Sequence, residues 1–344
     1  MRMPFLLAAV DRALQRAGPP KHGETLVLGL SGGADSVALA DTLASLQRRR
    51  GFRLVAAHLD HGLRSGSADD AAFCLGFCAT LGVPFRGGTA PVRARALREK
   101  GGLESAARHE RYSFLRRVQA DEDAVAIAVA HTQDDQAETL LLRLLRGAGA
   151  SGLAGMRPRS GDLLRPLLEV SRAKVLEHLR ARGLAWREDP SNADAAHLRN
   201  RVRHELLPYL EQRFNPRIRE ALARTAALLA DEAAYVGTRA EELVAQIGSR
   251  DRGTLVLDRL RLAAAPLAVA RAAVRLALQR TGGLAGIDRG HVDRVLEVTG
   301  SGSPAGRRLL FPGGREARFT HHQLRLEMRA IGATKAVSSS RTRP

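Results

Sequence analysis

The sequence predicts an α/β protein with a parallel sheet covered on both faces, followed by a smaller α+β unit. Three observations carry this. Between Thr25 and Arg146, apolar runs of strand length alternate with helical patterns, the rhythm of βαβ units. The runs are continuously apolar, as in strands buried on both faces. From Thr254 onward the rhythm changes to short strand patterns and a Pro312-Gly-Gly314 hairpin turn.

In chain order, Met1–Leu14 is apolar but interrupted by Pro4 and Asp11. It reads as an amphipathic first helix, because no small-residue cleavage site follows an apolar core. Leu26–Leu30, Arg53–Leu59, a weaker Val83–Arg86 and Ala124–Ala130 are the expected strands. Val37–Gln47, Asp69–Leu81, Leu103–Gln119 and Asp134–Arg146 are the expected helices. Gly147–Gly152 is a flexible link, Ser171 caps a helix reaching Arg182, Asp189–Asn192 forms a turn, and Leu198–Phe214 is one more helix. In the smaller unit, Thr254–Leu257, Arg307–Phe311, Glu316–Thr320 and Gln323–Glu327 are strands, with helices at Pro266–Arg280 and Asp288–Val298. The expected organisation is a first domain over 1–214, a helical connector over 215–250, a small α+β domain over 251–333 and a Ser/Arg-rich disordered tail over 334–344.

Fifty-four Lys and Arg against 36 Asp and Glu leave a formal charge of +18 and a pI near 11.3. A field of that size favours polyanions, and no run reaches the ~18–20 apolar residues that span a bilayer, so the expectation is nucleic acid and no membrane. A compositional bias toward Ala, Arg, Gly and Leu is the other explanation of the arginines. The two cysteines, Cys74 and Cys78, are too few for a disulfide framework or a zinc site. They are expected as buried apolar side chains on a helix far from any motif, in a reducing cytoplasm.

The chemistry concentrates where strands end, which is where open parallel sheets bind ligands. Ser31-Gly-Gly-Ala-Asp-Ser36 lies between a strand and a helix start. There, backbone N–H groups and the helix dipole face an anion, and glycine lets the chain approach it. Asp35 supplies a carboxylate for a Mg²⁺ that bridges phosphates. The loop lacks the lysine of mononucleotide loops, and Ser31 or Asp35 acting as a plain helix cap is the alternative.

His131-Thr-Gln-Asp-Asp-Gln-Ala-Glu-Thr139 follows the last buried strand. Asp134 suits an N-cap, Asp135 can point back toward Asp35 and share its metal, and His131 can orient a phosphate or move a proton. Glu104, Arg108, Arg111 and Leu115 share one helix face. Either Arg108 or Arg111 can neutralise phosphate in place of the missing lysine, or the face is simply solvated. Arg199-Asn-Arg-Val-Arg203 fits an amino-acid or RNA phosphate pocket, or a charged helix start.

Ser31–Ser36 resembles the pyrophosphate loop of the N-type ATP pyrophosphatases, the PP-loop superfamily, whose Rossmann-like fold is adenine nucleotide alpha hydrolase-like. His58-Leu-Asp-His-Gly-Leu-Arg64, Glu104-Ser-Ala-Ala-Arg-His-Glu-Arg-Tyr112, Ala130–Thr139, Arg146–Gly149 running into Gly152–Met156, Arg165-Pro-Leu-Leu168, and Glu188–Asn192 with Arg199-Asn200 follow it. In this order and spacing, over residues 25–212, they resemble the tRNA(Ile)-lysidine synthetase family. The remainder is similar in architecture to that family's tRNA-binding region.

The resemblance implies ATP-dependent ligation of free L-lysine to C2 of the wobble cytidine of an isoleucine tRNA with a CAU anticodon. AMP is first attached to O2 with release of pyrophosphate; the lysine ε-amino group then expels AMP, leaving lysidine. The tRNA changes from methionine to isoleucine identity and from AUG to AUA decoding. ATP and Mg²⁺ are the implied cofactors, and monomer and homodimer are both compatible. By the same resemblance, Ser31, Gly32, Gly33, Ala34, Asp35 and Ser36 bind ATP, and Asp35 and Asp135 hold Mg²⁺. His131 and Arg108 join those two carboxylates as catalytic side chains, while Arg199, Asn200, Arg203 and Arg111 contact lysine or tRNA. Some members carry a further C-terminal domain, which leaves open how the acceptor stem is gripped here.

Two other classes compete. A PP-loop tRNA thiolase would call for reactive paired cysteines, and an amidotransferase-linked ligase for a nucleophilic cysteine near the N-terminus. A non-enzymatic basic RNA-binding protein explains the charge but gives Asp35, His131 and Asp135 no task.

Overall fold

A computed structural model describes residues 3–62, 66–90, 92, 95–96, 102–188, 198–251 and 253–329. Leu63 and Arg64, the turn at Asp189–Asn192, the 334–344 tail and the side chain of Glu104 lie outside the described residues. The chain divides into two compact units, with the boundary between Ala230 and Asp231.

The first unit is built on β1 (Thr25–Gly29), β2 (Arg53–Asp60), β3 (Phe85–Thr89), β4 (Ala124–Ala128), β5 (Arg159–Ser160) and β6 (Leu163–Leu164), in the order β3-β2-β1-β4-β6-β5. All pairings are parallel except β5 with β6, an antiparallel edge that the sequence reading did not anticipate. Two-residue strands are too short to leave a period-2 pattern. Helices α1 (Phe5–Ala17), α2 (Ala34–Arg50), α3 (Ser67–Leu81), α4 (Gly102–Asp121) and α5 (Gln133–Leu144) alternate with the first strands. α1 starts after Pro4, whose fixed φ suits a helix entrance. β3 starts two residues later than expected, at Phe85, and β4 ends at Ala128.

β1 is central and buried on both faces. Leu26 and Leu28 join the cluster under α1 and α2, while Val27 joins Leu115, Val118 and Ile127 under α4. β2 pairs on one side of β1 and β4 on the other, so the strand order reverses at β1. That switch point opens a crevice at the strand carboxyl ends, and both Ser31–Ser36 and His131 follow strands that border it.

After the short α6 (Ala150–Leu153) comes α7 (Arg172–Ala181), capped by Ser171, whose hydroxyl accepts the Lys174 N–H. α7 is fastened to α2 by Asp41, a buried carboxylate that accepts bonds from His178 at 2.9 Å and Arg182 at 3.0 Å. Burial would raise the Asp41 pKa, but these donors outweigh it and hold the group below the usual carboxylate range. Asp41→Ala is expected to destabilise the protein by about 3 kcal/mol, seen as a lower urea midpoint, because it leaves the largely buried His178 without its acceptor. Asp41 is depressed on folding, so its contribution is complete above its ordinary pKa and is lost as pH falls through the lower folded value. Wild type and variant should therefore converge in acid.

The expected helix 198–214 is segmented into α8 (Leu198–Arg201), one π turn (Val202–Leu206) and α9 (Leu207–Arg213). α10 (Ile218–Ile247) follows and contains the division between units.

The second unit is a five-stranded antiparallel sheet built from β7 (Gly248–Asp251), β8 (Thr254–Asp258), β9 (Arg308–Phe311), β10 (Arg315–Phe319) and β11 (Gln323–Met328), in the order β7-β8-β11-β10-β9. β7 falls where only connector helix was expected. One sheet face packs Leu257, Ala317, Leu324 and Leu326 against Ala273, Val274, Ala277, Leu278 and Val295 of the covering helices. Pro312-Gly-Gly314 joins β9 to β10 with both glycines at φ +76°, a backbone conformation that demands glycine. No helix among the described residues is long and apolar enough to cross a membrane.

Candidate active site

The loop after β1 is wired to itself. The Ser36 hydroxyl donates to the Gly33 carbonyl at 2.9 Å and accepts the Ser31 N–H at 3.2 Å, and the two serine hydroxyls lie 3.1 Å apart. Gly32 has φ +82°, and a Cβ there would sit 3.3 Å from the Cys74 sulfur, so only glycine fits comfortably. Gly33 is the N-cap of α2, Ala34 opens the helix, and no side chain caps it. Neither Ser31 nor Asp35 caps the helix, so its first-turn N–H groups remain available to an anion.

His58 holds the loop's entrance: its Nδ1 lies 2.8 Å from the Leu30 carbonyl and 3.5 Å from the Cys74 sulfur. This corrects the expectation that the cysteines lie far from any motif, since α3 packs its Cys74 beneath Gly32. The thiols are nonetheless inert. Burial pushes Cys74 up to about 12 and Cys78 up to about 11, leaving almost no thiolate near neutrality.

Asp35 stands on the first turn of α2. Its Oδ2 accepts from Arg172 at 2.8 Å, while Oδ1 is buried without a hydrogen-bond partner. Burial pushes its pKa up to about 6 against the pull of Arg172, and the nearby Asp135 and Asp134 push the same way. A hard divalent cation coordinated by oxygen would relieve both conditions, so Asp35 fits Mg²⁺. No group of three or more His, Cys, Asp or Glu side chains placed for a metal occurs among the described residues.

α5 begins at a capping box. Thr132, not Asp134, is the N-cap, because its hydroxyl and that of a serine or threonine generally reach the N3 amide, which here belongs to Asp135. Asp135 Oδ2 accepts the Thr132 N–H at 2.9 Å, and Oδ1 accepts Arg199 at 2.9 Å and Arg203 at 3.2 Å. Burial alone would raise its pKa, but the Thr132 bond and the charges of Arg199 and Arg203 keep it low. Asp134 instead accepts the Arg172 backbone N–H at 2.7 Å and the Arg219 guanidinium at 3.1 Å.

One turn beyond Asp135, the fully buried Glu138 bridges Arg199 at 2.9 Å and Arg203 at 2.5 Å. Asn200 lies between these arginines in sequence. Glu138 and Arg172 were missed as site residues. Glu138 follows Asp135 at i+3 and so shares its helix face, a signal the spacing contained. Arg172 had none, because only the fold brings α7 to α2.

His131, at the tip of β4, is half-buried, and its Nδ1 has no hydrogen-bond partner. Burial lowers its pKa despite Asp135, and Arg165, Arg108 and Arg199 lower it further, so the imidazole is neutral near pH 7. Arg108 is exposed on α4, with its guanidinium 5.1 Å from the Tyr112 ring centroid. Arg111 is exposed on the same helix. The fold thus gathers Asp35, Asp135, Arg199 and Arg203 into one electrostatic group and sets His131 and Arg108 beside it.

A family model described as a PP-loop domain matches residues 6–210. The chain is 42% identical over 313 residues to the tRNA(Ile)-lysidine synthase of Geobacter sulfurreducens, aligning 88% of this chain with 66% of that protein. It is 40% identical over 311 residues to the synthase of the same name from Solibacter usitatus, covering 88% of this chain and 67% of that one. The chain therefore spans about two thirds of the length of these curated relatives. Among solved structures, the U34-tRNA thiolase NcsA from Methanococcus maripaludis superposes with a TM-score of 0.54 at 18% identity, over 66% of this chain and 79% of that one, a likeness of fold.

Proposed function

The chain belongs to the tRNA(Ile)-lysidine synthase family of PP-loop proteins, and from that premise we propose that it ligates L-lysine to the wobble cytidine of a CAU-anticodon isoleucine tRNA at the expense of ATP. The observation that carries the proposal is the uncapped start of α2 beside Asp35, whose buried Oδ1 lacks a partner. The free N–H groups bind phosphate oxygens, and Ser31 and Ser36 hold the loop in the shape that presents them. Asp35 would hold Mg²⁺, which when bound would supply charge neutralisation for the departing pyrophosphate. Both oxygens of Asp135 are engaged, so it would join Asp35 as a metal ligand only if Arg199 and Arg203 turned to substrate. Arg172 sits on Asp35 and supplies the fixed cation that the loop lacks.

The second step needs an unprotonated amine. His131 is neutral and its Nδ1 is unpartnered, so it can accept a hydrogen bond from the attacking lysine amine and orient it, while the proton shed passes to solvent. Arg199, Asn200 and Arg203, together with Arg111, receive lysine or RNA, the two arginines exchanging their carboxylate partners for substrate. A base splayed from a single-stranded anticodon loop reaches this rim.

The buried, undissociated thiols argue against the thiolase reading. Cys78→Ala is expected to retain lysine-transfer activity, with a stability loss of about 1–2 kcal/mol from the cavity; loss of turnover in folded protein would revive that reading. The direct test incubates the protein with Mg²⁺, ATP, labelled lysine and the tRNA transcript, then follows pyrophosphate and the mass of the RNA. Pyrophosphate release with lysine incorporated at the wobble cytidine is expected; RNA binding without either would mean a non-enzymatic binder.

A further inference from the structure

The sheet edge holds a cation that none of these roles uses. Arg165 follows β6, which runs parallel to β4, and Val129 donates to the Leu164 carbonyl at 2.9 Å. Arg165 is thereby set at the same rim as His131. It is 8% exposed, and Nη1 donates to the Arg157 carbonyl at 2.8 Å. Nε is buried without a partner, and no carboxylate pairs with Arg165 among the described residues. The edge of the guanidinium formed by Nε and Nη2 is the one that binds an oxyanion through two parallel bonds.

Arg165's electrostatic neighbours reinforce this. They are Arg108 and the Tyr112 phenol, and its own charge acts on His131. Two guanidiniums therefore come together beside His131, whose acid neighbour is Asp135, and no carboxylate acts on Arg165 itself; a buried unpaired cation is retained only against a cost. The charges that dominate at Asp35 are a different set, namely Arg172, Asp135, Asp134 and Arg203. Arg165 is not among the charges that act on Asp35, and it follows β6 where the phosphate loop follows β1.

We propose that the Nε–Nη2 edge of Arg165, with Arg108, is a seat for a backbone phosphate of the RNA beside the nucleotide presented to His131. The inference rests on the RNA-ligase reading above and gives it a positioning contact. One phosphodiester is bound by both guanidiniums, the Tyr112 ring supports Arg108, and the adjoining base is fixed in register.

The test measures binding of an anticodon stem-loop RNA with a CAU loop, by fluorescence anisotropy over a salt series without ATP. Arg165→Met, Arg108→Met and the double variant are compared with wild type, and ATP- and lysine-induced thermal shifts are recorded alongside. Each single variant is expected to bind RNA about tenfold more weakly and to flatten the slope of log K against log salt by about 0.7 to 1. The double variant should lose less than the product of the singles, since both act on one phosphate. The ATP and lysine shifts of Arg165→Met should be unchanged.

Weaker RNA binding with an unchanged salt slope would make Arg165 a mere anchor for Arg157 and overturn the seat. Unchanged RNA binding with a lost ATP or lysine shift would assign the oxyanion to that small substrate instead. Should Arg165→Met fail to fold, the exposed Arg108→Met carries the same slope measurement. Wild-type protein that binds neither RNA nor ATP would sink the underlying reading, a result distinct from failure of the seat.

Discussion

Asp35→Asn is expected to abolish pyrophosphate release and, in metal-free buffer above pH 6, to raise the melting temperature. Both outcomes come from one carboxylate held where it is unstable as an anion. The gap between a folded pKa of about 6 and the ordinary 3.8 corresponds to roughly 3 kcal/mol. The folded state binds this proton more tightly than the unfolded chain. Stability therefore falls as pH rises from about 4 to 6, and the penalty is complete above 6. Asparagine has no charge to bury, so the variant should melt several degrees higher at pH 7.5 and match wild type near pH 4. Equal melting at pH 7.5 would mean that Asp35 is not strained, and undiminished pyrophosphate release would remove it from the mechanism.

Glu138→Ala should act in the opposite sense, destabilising the first unit by about 3–5 kcal/mol and lowering its melting temperature by roughly 10 °C. The reason is the two guanidiniums, from Arg199 and Arg203, that this fully buried carboxylate satisfies. Truncation leaves both half-buried cations with only Asp135 between them. Adding Arg203→Ala to Glu138→Ala should recover part of the loss, because the second change removes a cation that the first left unpaired. A double variant whose loss is the sum of the two single losses would show that the pair is not coupled, and that Glu138 acts through packing alone.

Much of the first unit was legible because its strands are buried on both faces. Leu26, Val27 and Leu28 form a continuous apolar run since each faces a covered side, and the interleaved helices leave a parallel sheet as the natural solution. Features that depend on a single residue's backbone geometry were readable too. The Ser171 cap and the Pro312–Gly314 hairpin follow from local chemistry that the rest of the molecule does not alter. Local chemistry misled at α5. Asp134 and Thr132 are both good caps, and the choice between them fell to Thr132 because Asp134 is held by Arg172 and Arg219, distant in sequence.

By itself, then, the order of residues determined the long strands and helices, where a phosphate loop follows a strand, and which side chains stand near the tips. Those properties are set by hydrophobic periodicity and by steric limits on glycine, both of short range. Tertiary structure decided the partnerships: Arg172 on Asp35, Glu138 between two arginines, Cys74 beneath Gly32, and Arg165 left unpaired beside His131. Burial and charge act through space and not along the chain, so the same carboxylate or guanidinium is inert, strained or poised according to what the fold sets within a few ångströms of it.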